Sequence, residues 1–334
     1  MFADIYDGEK YDARIAEEWK LPDYDDGGWE NVQKSEEFKG KIVSEYDNSV
    51  IVCKDLERHV VWVRIHDGII GADSLSYGKV NVVRTAQNGR FRLEKGETAV
   101  VDFGQNFAGW ECFCVEGARG TTVTVKHAEM LNDCNGRRSR GNDGAEGTAY
   151  LEALRSAKAT TQYVLRGGGA EQYHPSHTYY GFRYLQITAD APVLFHSVTG
   201  QVVTSVTADT GYLRTSDSRI NRLFENIRWG QYSNYLSVPT DCPQRDERLG
   251  WTADTQVFAA AVHTVTLLVK LPAKFQRAAA SLRALGSAQR MRCKALPVWQ
   301  VVRKNKNVCV FCDIGIRFFV YFSLVRLLFR RCGQ

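Results

Sequence analysis

The chain has 334 residues, 44% hydrophobic and 24% charged, which is enough for two or three domains with sizeable cores. Its formal net charge of +5 is unevenly divided. Residues 263–334 carry 14 basic residues and one acidic residue, whereas residues 1–262 carry 29 basic and 37 acidic residues, so the acidic body gives no reason to expect nucleic-acid binding.

The cysteines number nine, an odd count without the spacing of a disulfide framework, which favours reduced thiols and a cytoplasmic protein. The start, residues 1–8, is acidic and has no apolar run, so we expect no signal peptide. The apolar run at 318–325 is too short to span a bilayer, and we expect no membrane partner. Cys309 and Cys312 form a lone pair, and His174 and His177 have no third ligand nearby, so no metal or cofactor is predicted.

The first two hundred residues carry β-strand patterns. Residues 1–75 are rich in turn signals and end with a β-branched run at 60–65. Residues 121–126 alternate valines with polar residues, the period of a half-buried strand. Further strands are predicted at 100–103, 160–165 and 182–188.

The periodicity changes after residue 216. Apolar residues recur on one face of a predicted helix that ends near Tyr235: Ile220, Leu223, Phe224 and Ile227. Ser216 is the expected N-cap, and Asp217 suits the positive end of the helix dipole. A second helix is expected to begin near Thr252.

Between the two predicted helices lies a segment that concentrates ionisable groups. It contains four carboxylates and two interleaved arginines: Asp241, Asp246, Glu247, Asp254, Arg245 and Arg248. Prolines and Gly250 prevent one regular helix there, so a loop held between rigid elements is expected. Paired carboxylates are what the hydrolysis of a glycosidic bond requires, and Trp251 could cover the apolar side of a sugar ring. The alternative is a charged interdomain turn whose side chains pair with one another.

The segment Asp241-Cys-Pro-Gln-Arg-Asp-Glu-Arg-Leu-Gly-Trp-Thr-Ala-Asp254 closely resembles the signature of bacterial α-L-rhamnosidases, glycoside hydrolase family 78. Two further segments are similar to the same family and occur in its order: Asp102 to Trp110 with His127 to Leu131, and Tyr173 to Leu185. The resemblance covers about residues 1–262.

The resemblance implies a multidomain fold: β-sandwich domains followed by the first helices of an (α/α)6 barrel. It divides the chain into a partial N-terminal β-sandwich at 1–75, a concanavalin-like β-sandwich at 76–204, the start of the six-hairpin catalytic domain at 205–262 and a basic tail at 263–334. We expect the chain to be truncated at both ends. The tail has the composition of translation in a shifted frame, with a basic membrane-surface tail as the alternative.

The resemblance also implies roles for individual residues. Glu247 matches the general acid of an inverting mechanism that releases terminal α-L-rhamnose from a glycoside or polysaccharide. Four residues match substrate-binding positions: Asp241, Arg245, Trp251 and Asp254. The general base of the family lies far downstream and is not matched here, so the chain is expected to be inactive alone.

Two other functions remain open from the sequence. One is a carbohydrate-binding β-sandwich without chemistry, whose face could be lined by Asp102, Gln105, Asn106, Trp110, His127 and Glu129. For these residues the structural alternative is favoured: a turn at Asn106, a core position for Trp110, and a pair between His127 and Glu129. The other function is hydrolysis of a different sugar by the same type of barrel.

Overall fold

The computed structural model describes residues 1–15, 21–33, 40, 49–206, 209, 212–256 and 258, together with the backbone of 301–304 and 307–310. The chain divides into two compact units, Met1–Gln276 and Arg277–Gln334. Most of the predicted basic tail lies outside the described residues. Within the second unit, an antiparallel hairpin pairs Val301–Lys304 with Asn307–Val310.

Thirteen strands of the described residues form one curled sheet in the first unit. They are β1 (Phe2–Asp4), β2 (Gly8–Asp12), β3 (Ile51–Val52), β4 (Arg58–His59), β5 (Trp62–Ile70), β6 (Lys79–Ala86), β7 (Phe91–Leu93), β8 (Thr98–Gly117), β9 (Thr122–Ala128), β10 (Thr160–Val164), β11 (Ala170–Tyr173), β12 (Tyr180–Ala189) and β13 (Val193–Thr204). Single-turn 3-10 helices lie in the connections at Lys54–Leu56, Cys134–Gly136, Arg138–Arg140 and Glu152–Leu154. The strand predicted from alternation at 121–126 corresponds to β9, and the further strands predicted at 160–165 and 182–188 correspond to β10 and β12.

Strand β8 is the centre of the sheet. Its first half pairs with β5 and β12, and its second half pairs with β11 and β13. The sheet changes partners at Gly109, which faces both Tyr180 and Val202 in the register. A Cβ atom at Gly109 would lie 1.9 Å from the Gln201 carbonyl oxygen, so only glycine allows this close approach of two strands.

The core of the first unit lies against β8, β12 and β13. Its largest fully buried side chains are mainly aromatic: Tyr180, Phe103, Phe107, Phe113, Phe182 and Phe195. Phe107 and Phe182 pack with ring centroids 4.5 Å apart, and Phe113 meets Phe195 edge-on at 5.8 Å. Such contacts add to the stabilisation that comes from burying large apolar surfaces.

Strand pairing runs across residue 75, where the boundary between the two β-rich domains is predicted. Strands β5 and β6 form a hairpin across that position, with Ile70 opposite Lys79. Strand β2 also pairs in parallel with β10, placing Gly8 opposite Thr160. The described strands before and after residue 75 therefore share one sheet, because hydrogen bonds to distant strands decide membership and local turn signals do not show them.

The predicted first helix is α1 (Ser218–Asn234). Its N-cap is Asp217, whose side chain accepts a hydrogen bond from the Arg219 amide, so the prediction of Ser216 as the cap was wrong by one residue. The end of α1 packs against the sheet through Tyr232, which lies with Val206 in a small buried cluster. A short hairpin follows, formed by β14 (Tyr235–Leu236) and β15 (Val238–Pro239).

A second helical turn is present at residues 252–256, close to the predicted start at Thr252. No helix within the described part of the chain is both long and apolar enough to cross a membrane.

Candidate active site

The acidic loop, residues 241–251, follows the β14–β15 hairpin and closes on itself. The Asp241 amide donates to the Leu249 carbonyl at 3.0 Å, and the Leu249 amide donates to Oδ1 of Asp241 at 2.8 Å. Just before the loop, the Thr240 amide and hydroxyl both donate to the Asn234 carbonyl at the end of α1. The loop is therefore a closed structure mounted on a helix end, as its prolines and charges predicted.

Arg248 ties the acidic loop to the sheet. The residue is only 6% exposed. Its guanidinium donates to the carbonyls of Ile5 (2.5 Å), Tyr179 (2.8 Å), Gln244 (3.0 Å) and Arg245 (3.1 Å). Burial lowers its pKa. The donors of the guanidinium group are thus occupied by backbone oxygens from three segments of the chain. Arg248 therefore has a structural role beside the site.

Glu247 lies at the centre of the charged groups of the loop. Its Oε2 accepts from Arg155 Nη1 at 3.0 Å and from Arg245 Nε at 3.1 Å, while its Oε1 accepts from the Trp251 indole at 2.8 Å. The side chain is 24% exposed, so it remains within reach of a ligand. Three donors converge on one carboxyl group and complement its ionised form, which is the form left after a proton has been given away.

Asp241 and Arg245 complete the inner part of the site. The Asp241 side chain is 3% exposed, and Arg245 Nη2 lies 3.4 Å from its Oδ2. Ligand atoms of Asp241, Cys242 and Glu247 lie within 4.8 Å of one another, a spacing that could hold a metal ion. Burial, followed by the contact with Asp241, raises the pKa of the Cys242 thiol to about 11. Since the thiol is protonated near neutral pH and both carboxylates already accept protein donors, this group is a poor donor set for a cation.

Trp251 and Asp254 form the outer part of the site. Trp251 is 49% exposed although its indole nitrogen is bound to Glu247, so much of its ring surface is free to meet a ligand. Asp254 lies on the helical turn after Trp251 with an exposed side chain, and no hydrogen bond joins it to other described residues. The structure thus joins Asp241, Arg245, Glu247 and Trp251 by direct contacts, and leaves Asp254 outside that network.

Sequence reasoning missed the partners that the sheet supplies. Arg155 reaches Glu247 across 92 positions of sequence. Ser156 donates from its amide and its hydroxyl to Asp246, and these contacts lower the pKa of that carboxyl group. The Tyr6 hydroxyl donates to the Glu247 carbonyl at 2.9 Å. Residues 155 and 156 lie in an irregular connection without periodicity or motif, so the sequence held no signal for them.

The second group of candidate residues is divided between core and loop. His127 and Glu111 are fully buried and meet at 2.6 Å, so the predicted pairing of His127 with Glu129 was wrong. The strand β9 ends at Ala128, so His127 belongs to its buried face whereas Glu129 lies beyond its end. Glu129 instead accepts from Asn106 at 2.7 Å. Burial raises the pKa of Glu129, against the opposing effects of Asn106 and of the Arg245 charge.

Trp110 and Asp102 also have defined partners. The Trp110 indole donates to Gln201 at 2.8 Å, and its ring stacks on that of His174 with centroids 5.8 Å apart. The nearly buried carboxylate of Asp102 binds Arg183 through two hydrogen bonds of 2.8 and 2.9 Å. Trp110 is partly buried against the core, which fits its structural alternative, whereas the partner of Asp102 was not predicted.

Three family models match successive parts of the chain. They are the alpha-L-rhamnosidase N-terminal domain (residues 1–54), the bacterial alpha-L-rhamnosidase concanavalin-like domain (residues 92–204) and the bacterial alpha-L-rhamnosidase 6 hairpin glycosidase domain (residues 208–289). The last match begins before α1, contains the acidic loop and extends into the basic tail.

Curated relatives carry the same name. An alpha-L-rhamnosidase of Streptomyces avermitilis is 37% identical over 260 residues, which are 77% of this chain and 21% of the relative. One from Alteromonas sp. is 31% identical over 264 residues, 78% of this chain and 24% of the relative. The chain thus spans between a fifth and a quarter of the length of these relatives.

Solved structures give the same picture. An alpha-L-rhamnosidase of Streptomyces avermitilis complexed with L-rhamnose aligns with a TM-score of 0.58 and 35% identity, covering 77% of this chain and 21% of that one. The alpha-L-rhamnosidase from Dictyoglumus thermophilum aligns with a TM-score of 0.57 and 32% identity, covering 77% and 25%.

Proposed function

This chain belongs to the bacterial α-L-rhamnosidase family, and we propose that its acidic loop serves the inverting hydrolysis of terminal α-L-rhamnose, with Glu247 as the general acid. The observation that carries the proposal is the convergence of Arg155, Arg245 and Trp251 on the Glu247 carboxyl group beside the exposed Trp251 ring. A general acid must first hold a proton and then lose it to the departing sugar oxygen. These donors orient the carboxyl group and stabilise the carboxylate that results, while the two arginines oppose the protonated form from which the reaction starts.

The remaining matched residues would hold the sugar. Asp254 would accept a hydrogen bond from a rhamnose hydroxyl group and Arg245 would donate to one, because ionised groups form strong hydrogen bonds with hydroxyls. Asp241, whose side chain is 3% exposed, would reach the sugar only by giving up its contact with Arg245. Trp251 would cover the apolar face of the ring. The unengaged, exposed carboxylate of Asp254 suits this task, since binding there breaks no contact with other described residues.

An inverting mechanism also needs a base that activates water, roughly 6.5–9.5 Å from the acid. Family resemblance assigns this base to a later part of an (α/α)6 barrel, and the chain spans between a fifth and a quarter of its relatives. Asp246, the nearest spare acid, is held by Ser156 and matches no base position. We therefore propose that the chain binds rhamnose through the acidic loop but does not hydrolyse α-L-rhamnosides by itself.

Two measurements on the purified full chain test the proposal. Saturation-transfer NMR with L-rhamnose should detect binding, and Trp251→Ala and Asp254→Asn should weaken it. The control is Trp29→Ala, which removes an exposed tryptophan far from the acidic loop in sequence and should leave the binding unchanged. Assays with an aryl α-L-rhamnoside should give no turnover. Turnover abolished by Glu247→Gln would contradict the inactivity and support the role of Glu247. Preference for another aryl glycoside or its free sugar would contradict the assignment of rhamnose.

A further inference from the structure

The connection between β9 and β10 delivers an arginine to the acidic loop. Arg155 Nη1 lies 3.0 Å from Glu247 Oε2 and 3.8 Å from Asp246 Oδ1. It follows the 3-10 helix Glu152–Leu154, in a part of the chain that the matched catalytic loop does not include. The contact therefore links the β-rich part of the first unit directly to the proposed acid.

The backbone at Arg155 is in a conformation that a side chain disfavours. Its φ and ψ are 57° and −116°, a combination that residues other than glycine rarely adopt. Glycine would adopt this conformation more readily, yet residue 155 is an arginine. Strain at a residue that contacts a proposed catalytic group indicates that the position is held for its side chain.

The neighbouring contacts keep this turn from relaxing. Before it, the Leu151 and Glu152 amides both donate to Asp143 Oδ2, at 2.7 and 2.8 Å. After it, the Ala159 carbonyl accepts from the backbone amide and from Nδ1 of the buried His127, at 3.1 and 2.8 Å. Both ends are thus anchored, which explains how the strain persists.

The turn at Arg155 and Ser156 also contacts the acidic loop at two points. Ser156 donates to Asp246 next to the Arg155 contact with Glu247. Arg155 itself is 54% exposed, so its guanidinium is not needed to fill the core. Its main contacts in the described residues are the two carboxylates of the loop.

We infer that Arg155 is a positioning residue, which the β-rich part of the chain supplies to aim the Glu247 carboxyl group at the indole N–H of Trp251. Arg155 and Arg245 hold Oε2, which leaves Oε1 directed at the indole nitrogen. The importance of this orientation for proton transfer rests on the proposed function. The contact between Arg155 and Glu247 is independent of it.

The indole N–H of Trp251 reports this geometry without requiring activity. In the full chain labelled with ¹⁵N-tryptophan, the Trp251 resonance is assigned by its loss in Trp251→Phe. Glu247→Gln should move it, because the acceptor on the indole changes. Arg155→Gln and Arg155→Gly should move it as well, and Arg155→Lys, which keeps a cation, should restore most of the original position.

Two controls separate positioning from folding. Arg155→Gly relieves the backbone strain, so its melting temperature should be no lower than that of the wild type even though the resonance moves. Arg140→Gln removes a similarly exposed arginine, paired with Asp133, and should leave the resonance in place. A Trp251 resonance unmoved in both Arg155→Gln and Arg155→Gly would overturn the inference, as would one that does not respond to Glu247→Gln. A shifted resonance in a chain that fails to bind L-rhamnose would support Arg155 and count against the proposed function alone.

Discussion

At the scale of single residues, the charged groups of the candidate site are paired with one another and with distant segments, and these long-range pairs were the part hardest to predict. The sequence identified Asp241, Arg245, Glu247 and Trp251 as one site because they lie within eleven positions of one another. Arg155 was not predicted to belong to the site, because its partner Glu247 is distant in sequence and the residues around Arg155 show no motif. Long-range partners of this kind depend on the sheet register, which alternation alone does not give.

The pair of Asp102 and Arg183 gives a prediction at this scale. Asp102 is 3% exposed on its side chain and accepts two hydrogen bonds from Arg183 and one from the Gly104 amide. We expect Asp102→Ala to lower the free energy of unfolding by about 2–3 kcal/mol, because it leaves donors in the sheet without an acceptor. Urea titration measures the change.

A matched control is Asp133→Ala, since Asp133 binds Arg140 on the surface with both side chains more than half exposed. Its removal should change the stability by less than about 1 kcal/mol. Equal losses in the two variants would show that the Asp102 pair contributes no more than a surface pair does.

At the scale of elements, the apolar period of 220–227 located α1, but chemical preference alone did not fix its first residue. Serine and aspartate are both good caps, and they stand side by side at 216 and 217. The structure selects Asp217, whose carboxylate binds both the Arg219 amide and the Arg219 side chain. The choice depends on the backbone at residue 217, which is extended while residue 218 is helical.

This cap predicts a pH dependence. Contacts with Arg219 lower the pKa of Asp217 from 3.8 to about 2. A carboxyl group whose pKa is lower in the folded state stabilises the fold fully above its unfolded pKa, and this contribution is lost as the pH falls towards the folded value. The melting temperature of Asp217→Ala should therefore be lower than that of the wild type at pH 6, with a difference that shrinks between pH 4 and 2. Ser216→Ala should melt like the wild type at every pH; if it instead shows the larger loss, the cap is at 216 in solution.

At the scale of the whole molecule, β8 lies at the centre of a sheet whose strands come from both sides of the boundary predicted at residue 75. The sequence predicted a strand only at 100–103, whereas β8 runs for 20 residues from Thr98 to Gly117. Gly104 and Gly109 interrupt its apolar pattern and made a single strand improbable from sequence. Local geometry explains why glycine is tolerated in the strand. At Gly109 the Gln201 backbone approaches so closely that a side chain would not fit.

The position of β8 predicts the order of local opening in the first unit. Its amides pair with strands on both sides: β5 and β12 along the first half, β11 and β13 along the second. In contrast, among the described strands β1 pairs only with β2, through three exposed residues, and β6 pairs only with β5, apart from a bridge between Lys79 and Glu146. Strands at the centre of a core open only with global unfolding, whereas edge strands fray at low cost. Native-state hydrogen exchange followed by mass spectrometry should therefore find the slowest amides in Val100–Phe103 and Phe113–Val115, with β1 and β6 exchanging well before them. Exchange of β8 at the rate of β6 would mean that the two halves of the sheet open independently, and that β8 does not unite them.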